Sequence, residues 1–285
     1  MADVIGEQDI RGENIDRAVK GFALQEYKLK RVCLIQSSSK WTETYYKETA
    51  TELSGAASRN IKGVARLAAF PYVEPSWTKV STRLIKHAAE GVISMEDKMT
   101  DAIDVQARTL LRVARAIAKS VDSAIYSAIT SDANVNTAAA VAVWDDATVA
   151  NRDPIRDILT GIQYITVDNY DPLRNGYLLV TPKDYTNLMM NSKVINNPSF
   201  KTADVVSNGV VGQICGLKII VTTSVDDDEA AIIVGQTAVT WKSAVGLTTA
   251  IIEDRGIKYT IRAWEIGVPI VTNPEAIHII TNTQT

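Results

Sequence analysis

Histidine and cysteine are scarce in this sequence of 285 residues, with two of each. His87 lies in "RLIKHAAEG" and His278 in the apolar run "AIHIIT", and neither has a cysteine, a second histidine or a carboxylate at metal-ligand spacing. Both read as structural. Cys33 and Cys215 belong to no CxxC pair or Cys/His cluster, so they read as two reduced, packed thiols. No G-x-S-x-G elbow marks a serine nucleophile, although the members of a Ser/His/Asp triad meet only in the fold. The glycine-rich devices that cradle phosphate, G-x-G-x-x-G and G-x-x-x-x-G-K-[ST], are missing too. These gaps argue against nucleotide enzymology and against a bound cofactor. No apolar stretch approaches the ~20 residues of a membrane span, and "MADVIGEQDIRGENID" lacks the basic start and apolar core of a secretory signal. The chain therefore reads as soluble, with no membrane partner. Its 30 Lys and Arg against 33 Asp and Glu leave a formal charge of −3, which excludes a broadly basic nucleic-acid surface and permits only local contact.

Against these absences stands an ordinary globular composition, 46% hydrophobic and 22% charged, in a chain long enough for one large domain or two. One segment dominates it. From Ser94, "SMEDKMTDAIDVQARTLLRVARAIAKSVDSAIYSAI" opens with Ser94 as N-cap and Asp97 three residues on, an acidic variant of the capping box. Met99, Ile103, Leu110, Ala114, Ile117, Val121 and Ile125 recur on one helical face, while Asp97, Asp101, Asp104, Arg108, Arg112, Arg115, Lys119 and Asp122 occupy the other. Acids come early and bases late, which suits the helix dipole, and Asp104 with Arg108 forms an i,i+4 pair. About 34 residues at 1.5 Å rise make a strut of roughly 50 Å. The row Arg108, Arg112, Arg115 and Lys119 is a solvated face by default, and otherwise meets phosphate or a neighbour's acids.

Before the strut, "TETYYKETATE", a small-residue tip "LSGAAS" and the run "RNIKGVARLAAFPYVEPSW" read as a long hairpin. A two-stranded arm is marginal alone. Trp41, Tyr45, Tyr46, Phe70 and Trp77 therefore need a partner surface, and packing against protein is favoured over stacking on bases. Residues 14–30 carry Ile15, Ala18, Val19, Phe22 and Leu29 at helical spacing, making a short amphipathic helix that Gly21 weakens. The alanine-, threonine- and valine-rich stretch over 131–153 reads as a loop. Asp153-Pro154 and Thr181-Pro182 then open two helices, with strands at Tyr177–Val180, Leu217–Thr223, Ala230–Gly235 and Leu247–Glu253. "EDRG" joins the last of these to "GIKYTIRAW", where Ile257, Tyr259, Ile261 and Ala263 alternate with Lys258, Thr260, Arg262 and Trp264. Pro269 and Pro274 are expected to interrupt the backbone before Ala276–Thr281 resumes as a strand. The acidic run Asp226–Glu229 lacks the alternating ligands and central glycine of a calcium loop and reads as a solvated turn.

The order of parts, together with "KHAAEGVISMEDKMTDAIDVQARTLLRVARAIAKSVDSAIYSAI", "YLLVTPKDYTNLM", "VGQICGLKIIVTTSV" and "YTIRAWEIGVPIVTNPEAIHII", resembles the major capsid proteins of tailed bacteriophages and related archaeal viruses. The resemblance implies an α+β fold of the Hong Kong ninety-seven phage type. Its parts would be an N-terminal arm over 1–41, an extended hairpin loop over 42–78 and a peripheral domain with the spine helix over 79–131. An axial domain over 132–245 and strands over 246–285 that return to both would complete it. It further implies homo-pentamers and homo-hexamers of an icosahedral virion shell, assembled in the host cytoplasm around double-stranded DNA held by weak, non-specific contact. Separate scaffolding, portal and decoration proteins would be further partners. The strut begins near residue 94, which leaves no room for the cleavable scaffolding segment of some relatives. Lys47, Lys62 and Lys79 lie where certain relatives cross-link, but no motif singles one out, so no cross-link is assigned. An encapsulin-type compartment shares the implied fold, and an α/β enzyme is the alternative from another class.

Overall fold

The computed structural model describes residues 12–48, 65–69, 77–100, 105–195 and 212–285. In chain order these form α1 (Gly12–Glu26), β1 (Leu34–Ser37), β2 (Thr42–Glu48), β3 (Trp77–Arg83), β4 (Ile85–Ser94), α2 (Met95–Thr100), α3 (Val105–Thr130) and β5 (Asn136–Ala139). There follow α4 (Pro154–Val167), α5 (Pro172–Asn175), β6 (Gly176–Val180), α6 (Pro182–Met190), α7 (Ser192–Ile195), β7 (Gln213–Ile214), β8 (Leu217–Val221), β9 (Glu229–Val234), β10 (Val239–Asp254), β11 (Lys258–Val271) and β12 (Ile277–Thr281). The strands make a four-stranded sheet in the order β1-β10-β11-β4, a six-stranded sheet in the order β5-β12-β9-β6-β8-β7, and a separate ribbon of β2 and β3.

The long helix forms where the apolar periodicity places it. Ser94 caps its approach, its hydroxyl accepting the backbone N–H of Asp97 at 3.0 Å. Leu110, Val113, Ala114, Ile117, Ala118, Val121, Ile125 and Ile129 of α3 are all buried, at the three- and four-residue spacing of one helix face. That face lies on β4 and β11 on one side and on α1 on the other. Close approach depends on Gly91, because a Cβ there would meet Thr109 Cγ2 at 2.4 Å and Val113 Cγ2 at 2.9 Å. Two residues of the expected pattern are placed otherwise. Met99 is 74% exposed, on the six-residue helix α2 that precedes the packed face of α3. Asp122, assigned to the outer face by its spacing, is only 3% exposed, because the loop after α1 folds over it. Asp101, Ile103 and Asp104 lie outside the described residues, and with them the expected Asp104–Arg108 pair.

The six-stranded sheet is built around β9, whose residues Ala230–Val234 are buried throughout, as a central strand covered on both faces requires. Pro154 opens α4, which covers β12 and β9 with Ile158, Ile162 and Ile165. Thr181 caps α6, accepting the Asp184 N–H at 3.1 Å. The stretch over 131–153, read as a loop, contains a strand after all: β5 pairs in parallel with β12. Trp144 within it is buried, its indole N–H donating to Asp157 at 3.0 Å. Local pattern is silent there because the pairing partner lies some 140 residues downstream in sequence.

The C-terminal strands serve both sheets. β10 and β11 form a long hairpin whose tip carries Gly256 at φ +78°, and they fill the middle of the four-stranded sheet. β12 then enters the other sheet one strand in from its edge, between β5 and β9. Pro269 does not interrupt β11, contrary to expectation, and sits opposite Trp241 of β10. On its other side β4 pairs only as far as Gly267, so the proline takes an edge position where no ladder donor is required. Pro274 behaves as expected, starting a short 3-10 turn over Pro274–Ala276 before β12.

Candidate assembly surfaces

The β2–β3 ribbon stands apart from both sheets, with its own register from Thr42 opposite Arg83 to Glu48 opposite Trp77. Alternation gives it two faces. Thr44, Tyr46, Lys79 and Ser81 are exposed, whereas Tyr45, Lys47 and Val80 are turned to the body. Tyr46 is 57% and Trp41 64% exposed, large aromatic surfaces open to solvent. Tyr45 packs instead on a small core of Leu84, Val268 and Ile270, separate from the main one. Lys47 is buried and forms an ion pair with Asp132, just beyond the end of α3. The ribbon's two ends meet where the Leu84 N–H donates to the Trp41 carbonyl at 3.2 Å. Phe70 and the side chain of Trp77 lie outside the described residues.

Arg108, Arg112, Arg115 and Lys119 are all exposed along the outer side of α3, a row about 16 Å long at 1.5 Å per residue. Arg115 donates to Glu26 of α1 at 2.7 Å, so one member of the row is tied within its own chain. Beyond it, Lys28, Arg115, Lys119, Thr222, Thr223 and Ser224 border a groove of about 180 Å³ beside the six-stranded sheet. The structure thus keeps the basic row together on one helix face, while Tyr45, Tyr46 and Trp77 belong to the ribbon and Trp41 directly precedes it.

The loop after α1 is held by buried polar groups, of which the sequence pattern marks only Asp122, and on the outer helix face. Glu265 is fully buried in β11, accepting hydrogen bonds from the Tyr27 hydroxyl at 2.6 Å and the Trp241 indole at 3.2 Å and pairing with Lys30. Asp122 accepts the backbone N–H groups of Lys28 at 2.8 Å and Lys30 at 3.1 Å. The same loop reaches the other sheet, with Lys28 Nζ on the Val221 carbonyl at 2.6 Å and the Val32 carbonyl accepting the Gln236 N–H at 2.8 Å. Residues 27–33 therefore fasten α3 and both sheets together. Burial, reinforced by the Glu265 charge, pushes the Tyr27 hydroxyl pKa up, and burial raises Asp122 against the pull of its N–H donors. A sequence signal for Glu265 existed: it falls on the buried phase of the strand that holds Ile261 and Ala263.

Nucleophiles and ligands do not gather. His87 sits beside Trp241 with Nδ1 2.8 Å from the Ser120 hydroxyl, and burial lowers its pKa although Glu265 opposes this. His278 stacks on Tyr164 at 5.2 Å, and burial lowers it to about 4. Cys33 and Cys215 are free thiols, and burial pushes Cys33 up to about 12. Asp228 lies in the expected turn, accepting the Gln284 N–H at 2.8 Å, and Glu229 accepts the Tyr126 hydroxyl at 2.6 Å. Among the described residues no three His, Cys, Asp or Glu side chains come within reach of one metal ion, and no helix is long and apolar enough to cross a membrane.

Comparison with known proteins supplies the context for these surfaces. Among solved structures the chain is similar to the capsid of the cyanophage P-SCSP1u, with TM-score 0.67 and 11% identity over 100% of this chain and 93% of that one. It is equally similar to a virus-like particle from Pyrococcus furiosus, with TM-score 0.66 and 13% identity over 94% and 98% of the two chains. A structure from Mycobacterium phage Che8 gives TM-score 0.62 and 16% identity over 86% of each chain. No curated protein matches in sequence. The fold is the Hong Kong ninety-seven type, α+β, shared with these shells. A family model described as phage capsid protein matches residues 78–280, a span from ribbon strand β3 to β12 that takes in the long helix, the strands of the six-stranded sheet and all of the four-stranded sheet except β1, and the chain accordingly belongs to the phage capsid protein family.

Proposed function

We propose that this chain is the major subunit of an icosahedral virion shell, assembling with its own copies into pentamers and hexamers around double-stranded DNA. Family membership assigns it a structural role in a capsid. One observation carries the finer reading: the ribbon leaves the body with Trp41 64% exposed at its base and the Thr44–Tyr46 face turned to solvent, in a chain similar to a capsid and to a virus-like particle. A ribbon of two strands gains stability from a third layer, and another copy supplies one. In this reading the four-stranded sheet with α3 is the peripheral domain, drawn from 79–131 and the returning strands, and the six-stranded sheet, drawn largely from 132–245, is the axial domain. DNA would be held weakly, because the formal charge of −3 supports no continuous basic lining. Scaffolding, portal and decoration proteins, and assembly in the host cytoplasm, belong to the same proposal.

Sedimentation velocity and negative-stain microscopy of the purified protein test it. Closed particles of uniform diameter are expected, and a 31.1 kDa monomer at every concentration and salt would overturn it. The likeness to the Pyrococcus furiosus virus-like particle keeps a second reading in play, the encapsulin-type compartment that shares this fold. Nuclease-protected DNA in purified particles supports the virion, and a stoichiometric co-purifying protein supports the compartment.

A further inference from the structure

The described contacts between ribbon and body include the Ser38 hydroxyl donating to the Glu43 carboxylate, and three others. The Leu84–Trp41 backbone bond pins the ribbon's two ends together. Tyr45 rests on Leu84, Val268 and Ile270. Lys47 pairs with Asp132, both side chains 10% exposed. Among the described groups Asp132 also accepts the Asn134 N–H at 3.0 Å, so its carboxylate is fixed from the helix side. Between these attachments lies a cleft of about 430 Å³, bordered by Lys47, Val80, Ser81, Ser131, Asp132 and Pro269. A ribbon that pivots about one pinned end, over a hollow, has its angle set by whatever spans the hollow. Only the ion pair joins ribbon to α3 end there among the described side-chain bonds, and a buried pair is stiff because either charge alone would have to regain water.

We propose that Lys47 and Asp132 form an orientation latch, which fixes the angle at which the ribbon leaves the body and holds it out of the cleft beneath. With the latch intact every copy presents Trp41 and Tyr46 in one direction. With it broken, the freed charge turns towards solvent, the contact across the cleft is lost, and the ribbon samples a range of angles. The consequence for assembly rests on the shell reading: identical angles are what allow identical copies to close on one radius.

The test compares Lys47→Met, Asp132→Asn and the charge swap Lys47→Asp with Asp132→Lys, by hydrogen exchange on unassembled chains and by microscopy of assembled ones. Each single change should speed exchange about tenfold or more at 42–47 and 78–83, with the six-stranded sheet unchanged. The swap should return it to within about twofold of the parent, a rescue that loss of packing alone would not give. Particles of the single variants should spread in diameter and those of the swap should narrow again. Unchanged exchange in both single variants overturns the latch, as does a swap as loose as either, or equal loosening of ribbon and six-stranded sheet. If the parent forms no closed particles, the shell reading fails while the exchange data still decide the latch.

Discussion

Glu265, wholly buried, is the counter-charge of Lys30 and the acceptor for Tyr27 and Trp241. Truncation of one partner in a buried ion pair leaves the other unsolvated, so Glu265→Ala should cost about 3–5 kcal/mol of stability in urea denaturation of the unassembled chain. A double-mutant cycle with Lys30→Met should then recover part of that loss, because the orphaned ammonium is removed as well. His278 gives the molecule a pH response. Burial lowers its pKa from the ordinary imidazole value of about 6.5 to about 4. The unfolded chain therefore binds the proton first, and the imidazole's contribution is whole above about pH 6.5 and lost as pH falls towards about 4. Relative to His278→Gln, the parent should lose about 3 kcal/mol between pH 7 and pH 4, read from urea midpoints at both values. Equal pH slopes for the two proteins would refute the assignment.

At the scale of elements, Ser94 and Gly91 act within four residues of each other. Ser94→Ala removes the hydroxyl that accepts the Asp97 N–H and should cost about 1 kcal/mol in thermal or urea unfolding. Gly91→Ala places a methyl against Thr109 and Val113, and should cost about 1–3 kcal/mol by prying α3 from β4. The two positions also mark what was readable from sequence. Ser94 announced a helix because capping and a period of 3.6 are local. β4, immediately before it, went unseen: "IKHAAEGVIS" has polar residues at Lys86, His87 and Glu90, and becomes a strand by pairing with β11. β5 was hidden for the same reason. The basic row on α3 was legible as a helix face, but Asp122 was misassigned, since only the tertiary path of residues 28–30 buries it. The Lys47–Asp132 joint was equally invisible, because a charge pair separated by 85 residues leaves no mark in any short window.

For the whole molecule, the ribbon is separable from the body in principle. Trp41 and Leu84 are hydrogen-bonded at 3.2 Å, so residues 42–83 can be replaced by a short Gly-Ser link without stretching either sheet. The shortened chain should fold, keeping cooperative urea unfolding, and should sediment as a monomer under conditions where the parent forms particles. Particles built from it would mean that the ribbon is dispensable to the contacts between copies. The main core supports this expectation, since it is contiguous across α1, α3 and both sheets and includes no described ribbon side chain.

The insertion of β12 between β5 and β9, and of β10 and β11 between β1 and β4, fixes when a copy becomes usable. The four-stranded sheet has its two inner strands only once residues 239–271 leave the ribosome, and β12, which joins β5 to β9 in the other sheet, comes later still, so the first 238 residues emerge with β1 and β4 unbridged and β5 detached. Translation that halts early yields a polypeptide in which β4, the strand next to the ribbon, has no sheet to join. Such a fragment carries the ribbon on an unfinished platform, and the order of strands thereby ties entry into a growing lattice to the arrival of β10, β11 and β12.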